Sequence, residues 1–142
     1  NFADRGLQLT RSFRALKVWM SIQTFGLAAF RQAIAQGIEH ADRAGDYVRN
    51  SESLELLSPP SLGILCFRYR PRGSGFPDGK LDALNEKIQA RIIASGTAML
   101  SSTRLRGAYS LRLCIMSHRT TWDDVRATLE AIEEAGRQLT RA

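Results

Sequence analysis

The chain has 142 residues, a length that suits one domain built around one modest core. Hydrophobic residues make up 44% and charged residues 24%, the balance of an ordinary globular protein, and no apolar run approaches the roughly 20 residues of a membrane span. The net charge of +6 permits a nucleic-acid partner, but the basic residues are scattered, which is the pattern of a solvated basic surface.

In chain order, the first ten residues read as irregular. Asn1-Phe2-Ala3-Asp4-Arg5 carries neither an initiator Met nor a signal-peptide pattern, so the chain is expected to be a piece of a longer one. From Ser12 an amphipathic helix begins, with Phe13, Leu16, Met20 and Thr24 on one face, and Gly26 interrupts it. A second helix follows, with Leu27, Phe30, Ile34, Ile38, Ala41 and Val48 at three- and four-residue steps. Leu54 and Leu56 flank Glu55 as a short strand, and Ser58-Pro59-Pro60-Ser61 reads as a break. Leu62 to Tyr69 is apolar on both faces, as in a central strand covered on both sides. Pro71 to Gly79 is a Gly/Pro-rich loop, and Asp78 is placed to cap a helix whose stripe is Leu81, Leu84, Ile88 and Ile92. Gly96 stops that helix. A short strand over Met99–Ser102, a turn at Arg104–Gly107 and a strand over Tyr109–Ser117 follow. Thr120 or Thr121, with Asp123 and Asp124, resembles a capping box for a last helix with Trp122, Val125, Leu129, Ile132 and Leu139 on one face.

The expected fold class is therefore α+β: two N-terminal helices, then a mostly antiparallel sheet in the order β-β-α-β-β-α with two helices on one face. Residues 1–50 read as a helical segment and 51–142 as a small α+β domain.

Few residues suggest chemistry. Arg112 is the most informative, because it lies mid-strand between Leu111 and Leu113, and an arginine there is costly to bury unless an anion or acceptors meet it. Its guanidinium is the side chain best shaped to grip a carboxylate through two parallel hydrogen bonds; a snorkelling arginine or an internal ion pair would explain the spacing equally well. Arg14 and Lys17 share a helical face, the arrangement of a basic solvated surface beside Trp19. Phe67-Arg68-Tyr69-Arg70-Pro71-Arg72 interleaves aromatics with arginines, which suits either stacking on single-stranded RNA or a central strand running into a basic loop. His40 and His118 have no triad partner nearby in sequence, and no phosphate loop, HExxH or CxxC is present. Cys66 and Cys114 read as small buried thiols, with a disulfide open only if their strands are neighbours, and no metal site is indicated.

Three ordered stretches resemble the C-terminal part of the group II pyridoxal-phosphate-dependent decarboxylases, the family of aromatic-L-amino-acid, histidine and glutamate decarboxylases. They are Thr10-Arg11-Ser12-Phe13-Arg14-Ala15-Leu16-Lys17-Val18-Trp19, then Leu62-Gly63-Ile64-Leu65-Cys66-Phe67-Arg68, then Leu111-Arg112-Leu113-Cys114-Ile115 with His118-Arg119-Thr120-Thr121. Ser117 stands where the family pattern has Asn. Phe13 between two arginines is closer to the aromatic branch than to the glutamate branch.

The resemblance implies the small domain of a type I fold, a cytoplasmic homodimer, and an L-amino-acid substrate, aromatic by preference. It implies no nucleic-acid or membrane partner. Pyridoxal 5'-phosphate would be bound mainly by residues outside this chain, through a lysine in a His-Lys pair upstream of the first stretch. Lys17, Lys80 and Lys87 are the three lysines here and none follows a His, so no catalytic residue is expected in the chain, which alone would not turn over. The remainder of the polypeptide is then an expected partner. Arg112 matches the arginine near the substrate carboxylate in the family's glutamate branch. The competing reading is a free-standing basic module for RNA or protein, and another reaction on the same fold is a third.

Overall fold

A computed structural model describes residues 13–141. The irregular start, Arg11 and Ser12 lie outside them. The chain divides into two compact units, Asn1–Gln32 and Ala33–Ala142. Helix α1 (Arg14–Asn50) crosses this boundary and is broken at Gly26, whose φ of 75° is open to glycine and strained for other residues. In the first unit Phe13, Leu16 and Met20 of the apolar face read from the sequence are exposed, as are Trp19 and Phe25.

The second unit begins with the rest of α1. Ala41, Ala44 and Val48 are buried as the helical stripe requires, while Ile34 is 62% exposed. Four strands follow: β1 (Leu54–Ser61), β2 (Ile64–Tyr69), β3 (Ser101–Leu105) and β4 (Ala108–Cys114). They form one antiparallel sheet in the order β1-β2-β4-β3. Helices α2 (Asp78–Ala94) and α3 (Trp122–Arg141) bury Leu81, Leu84, Ile88 and Ile92, and Val125, Leu129 and Ile132. They join Leu65, Phe67, Tyr69, Leu111 and Leu113 in one core on one side of the sheet. The α+β class and the two-helix layer follow from this arrangement.

Four local details differ from the sequence reading. The expected break at Ser58–Ser61 is the second half of β1, with register shifts on either side of Ser58; β1 is an edge strand, where a proline's missing N–H costs no ladder bond. Asp78 does not cap α2: Pro77 holds the cap position without a side-chain bond, and Asp78 turns to Arg68. Strand β3 lies two residues later than read, with Arg106 and Gly107 alone forming the turn into β4, both at positive φ. Strand β4 ends at Cys114, short of Ser117. The capping box is real at Thr121, whose N–H donates to Asp124 Oδ2 at 2.8 Å while Asp124 N–H donates back to Thr121 Oγ1 at 3.3 Å.

The two central strands pair only from Ile64↔Cys114 to Phe67↔Leu111. Beyond that point α2 supplies their missing partners. Tyr69 N–H donates to Asn85 Oδ1 at 2.7 Å, and Asn85 Nδ2 donates to Tyr69 O at 3.0 Å and to Leu81 O at 2.8 Å. Tyr109 N–H donates to Asp82 Oδ1 at 2.8 Å. Asn85 is fully buried, so its three bonds satisfy groups that water cannot reach, while the Asp82 bond is part-buried.

Glu133 of α3 ties the end of α1 to the start of β1. Its carboxylate accepts from Tyr47 Oη at 2.9 Å, from Ser53 Oγ at 2.7 Å and from Ser51 Oγ. Burial alone would raise its pKa, but the three hydroxyls and the nearby Arg137 charge outweigh burial and lower it. Burial and the bond to Glu133 push the Tyr47 phenol up to about 12.

Two substitutions test these supports by urea melts. Asn85→Ala strands the Tyr69 N–H and leaves a void, and should cost about 2–4 kcal/mol. Glu133→Gln should cost about 1–3 kcal/mol at neutral pH. A folded pKa below the unfolded one stabilises above the unfolded value, and that stability is lost as pH falls through the folded value. The gap between Glu133→Gln and the parent chain should therefore narrow as the pH drops below about 4. A gap that stays constant from pH 7 to pH 3 would show that the carboxylate charge contributes nothing.

Candidate functional site

Side chains alternate across a strand, so the residues between the core positions of β2 and β4 face away from α2 and α3. These are Cys66 and Arg68 on β2, and Ser110, Arg112 and Cys114 on β4. The register sets Ser58, Cys66, Arg112 and Ser101 in one row across all four strands. The next row starts with Glu55 opposite Arg68. This face of the sheet is polar where the other is apolar.

The two arginines on it have opposite surroundings. Arg68 is buried and neutralised: Nε donates to Glu55 Oε2 at 2.6 Å and Nη1 to Asp78 Oδ1 at 3.2 Å. Arg112 is exposed. Among the described residues its side chain makes one hydrogen bond, from Nε to Cys114 Sγ at 3.2 Å, and no acid pairs with it. Its own carbonyl accepts from Ser101 Oγ at 3.1 Å, which pins the edge strand beside it. A guanidinium held this way keeps both terminal nitrogens free for an anion.

The remaining candidates fall into place around this face. Arg70 Nη1 meets Glu55 Oε1 at 3.2 Å and Arg72 Nη1 meets Glu52 Oε1 at 2.7 Å, and both line a cavity of about 490 Å³ with Ser74 and Phe76. Phe67 and Tyr69 are buried against α2 and α3. The aromatic–arginine run therefore has no ring free to stack on a base, and its arginines are engaged by acids. Cys66 and Cys114 are free thiols on neighbouring strands, but Cys66 lies opposite Arg112 and Cys114 opposite Ile64. Such diagonal positions are roughly 7–8 Å apart, too far for a relaxed disulfide.

His40 is buried with its Nδ1 lacking a hydrogen bond among the described residues, and its ring lies 6.5 Å from that of Trp122. His118 is exposed, as are Arg14, Lys17, Lys80 and Lys87. Lys80 Nζ sits 4.0 Å over the Phe76 ring. Among the described residues no three His, Cys, Asp or Glu side chains form a group that could hold a metal ion, and no helix is long and apolar enough to cross a membrane. The contact sequence reasoning missed is the one between Arg112 and Cys114. Its signal is the two-residue spacing, which puts both on one strand face.

Residues 1–70 match a family described as the pyridoxal-dependent decarboxylase conserved domain. The chain is 41% identical over 125 residues to an aromatic-L-amino-acid decarboxylase of Bacillus atrophaeus, covering 88% of this chain and 26% of that protein. It is 34% identical over 140 residues to an L-2,4-diaminobutyrate decarboxylase of Rhizobium meliloti (strain 1021), covering 98% of this chain and 28% of that protein. The chain thus spans about a quarter of the length of the curated relatives it matches. Its fold superposes on a crystal structure of Oryza sativa TDC with PLP and tryptamine at a TM-score of 0.85 and 26% identity, over 98% of this chain and 30% of that one.

The contrast between the arginines has a direct readout. Arg68→Ala strips two carboxylates of a buried partner and should cost about 2 kcal/mol in a urea melt. Arg112→Ala removes an exposed side chain and should stay within about 0.5 kcal/mol of the parent. Equal losses at the two positions would refute this assignment.

Proposed function

We propose that this chain, which belongs to the pyridoxal-dependent decarboxylase family, is the C-terminal part of a longer decarboxylase that removes the carboxylate of an L-amino acid, with Arg112 holding that carboxylate. The observation that carries the reading is the state of Arg112. It stands on the polar sheet face, it is not neutralised by an acid of the described chain, and its neighbours in the register row are a thiol and a hydroxyl. An unneutralised guanidinium fork is suited to an anion of carboxylate shape.

The residues described do not form a site for pyridoxal phosphate. The three lysines are exposed, none lines the cavity beside Arg70 and Arg72, and the arginines of that cavity are already paired. We assign the cofactor to residues outside this chain and derive no step through it. What this chain contributes is position. An arginine that gripped the departing carboxylate more tightly than the transition state would slow the reaction, so the role of Arg112 is to orient the substrate rather than to move a proton.

The substrate we favour is an aromatic L-amino acid, on the strength of the 41% identity to the Bacillus atrophaeus enzyme. The exposed Phe13, Trp19 and Phe25 of the first unit support cover by the remainder of the same polypeptide. We further propose that the whole enzyme is a cytoplasmic homodimer.

The test is CO2 release by the full-length enzyme from L-tryptophan, L-tyrosine and L-2,4-diaminobutyrate. Arg112→Ala should raise KM by at least about tenfold, the loss of a hydrogen-bonded charge pair, while the protein still folds. An unchanged KM would remove Arg112 from the site, and release from diaminobutyrate alone would overturn the aromatic assignment.

A further inference from the structure

We infer that Cys114 is a positioning residue for Arg112: its sulfur holds the Nε edge of the guanidinium, so that the end-on pair of terminal nitrogens is the edge presented to a carboxylate. This rests on the proposed role of Arg112 and adds a second residue to the same site.

The argument begins with the strand. Arg112 and Cys114 are two apart on β4 and share its polar face. The Nε–Sγ separation is 3.2 Å, within reach of a hydrogen bond to sulfur, and the contact lays the arginine along its own strand toward Cys114. At that end the strand leaves the sheet with Ile115 N–H donating to Gly63 O at 2.7 Å, so the sulfur sits on anchored backbone. Across the sheet, Cys66 opposes Arg112 and offers only a buried thiol, while Ser101 opposes it from the other side and spends its hydroxyl on the Arg112 carbonyl. Among the described residues Cys114 is thus the one side chain that directs the guanidinium.

A guanidinium has two edges that can take a carboxylate with paired hydrogen bonds: the side edge, which uses Nε and one terminal nitrogen, and the end edge, which uses both terminal nitrogens. With Nε committed to sulfur, the end edge remains. A thiol is a weak acceptor, which suits the task. It fixes the direction of a long flexible side chain without neutralising its charge, as a carboxylate at the same place would. The consequence is pre-organisation, which lowers the cost of ordering the arginine when substrate binds.

The experiment uses the full-length enzyme and steady-state CO2 release. Cys114→Ala and Cys114→Val both delete the acceptor, and the valine keeps a good strand former in place. Each should raise KM by about three- to tenfold, the range of one modest hydrogen bond, with kcat changed by less than about twofold. Cys114→Ser restores an acceptor and should recover most of the KM. In an Arg112→Ala background the Cys114 substitutions should have no further effect, as expected when one residue acts through the other. Unchanged KM in Cys114→Ala and Cys114→Val, beside a raised KM in Arg112→Ala, would overturn the role of Cys114 and leave that of Arg112 standing. A KM effect that persists without Arg112, or that serine does not relieve, would reduce Cys114 to packing. An Arg112→Ala enzyme with normal KM would remove the reading on which this one rests, and this one with it.

Discussion

Beyond Phe67 and Leu111 the two central strands stop pairing, and the opening is closed from a helix. Asn85 takes both the N–H and the carbonyl of Tyr69, and Asp82 takes the N–H of Tyr109. Had the ladder continued, Tyr69 and Tyr109 would have faced each other. The splay therefore depends on α2 bringing Asn85 and Asp82 to the open strand groups, and α2 is seated by the same four apolar residues that fill the core. Packing and hydrogen bonding are not separate contributions here. A shift of α2 by one turn would leave buried backbone groups unsatisfied, each at a cost of about 1–3 kcal/mol. This is what fixes the sheet on which Arg112 is carried.

The acids are spent near this splay and in the basic loop. Glu55 and Asp78 meet Arg68, Asp82 meets Arg104, and Glu52 meets Arg72. Along the row that holds Arg112 the side chains are a serine, a cysteine and a serine. The molecule thus neutralises its buried arginine and leaves an exposed one charged on the same face. A chain with a net charge of +6 could have distributed its acids otherwise; this distribution leaves a free guanidinium on the polar side of the sheet.

Much of this was legible in the residues. The α2 stripe, the α3 stripe and the capping box at Thr121 follow from helical periodicity and from local chemistry, and the structure has all three. The failures share a cause. Pro59 and Pro60 read as a break because a proline removes an N–H, and that penalty vanishes on an edge strand; only the strand order reveals which strand is an edge. Asp78 read as a cap because it precedes a helix, but its pairing with the buried Arg68, ten residues earlier in the chain, makes no mark on local sequence. Arg112 could be singled out from its apolar neighbours. Its freedom from an acid required the register between β2, β4 and β3, whereas the sulfur beside it was signalled by the two-residue spacing on β4. The family resemblance supplied what periodicity could not, namely a reason to prefer a carboxylate over a base.

The two prolines also bear on how copies of this chain could meet. An open sheet edge is a template on which another strand can grow, and unrelated chains exploit such edges as readily as partners do. Strand β1 is one such edge, and over Pro59 and Pro60 it has no N–H to offer. Gly45 of α1 sits against the Pro60 ring, with room for no side chain between them, so the helix guards the same stretch. A second molecule cannot extend the sheet through this half of β1. The backbone edges that remain are the first half of β1 and, across the sheet, β3.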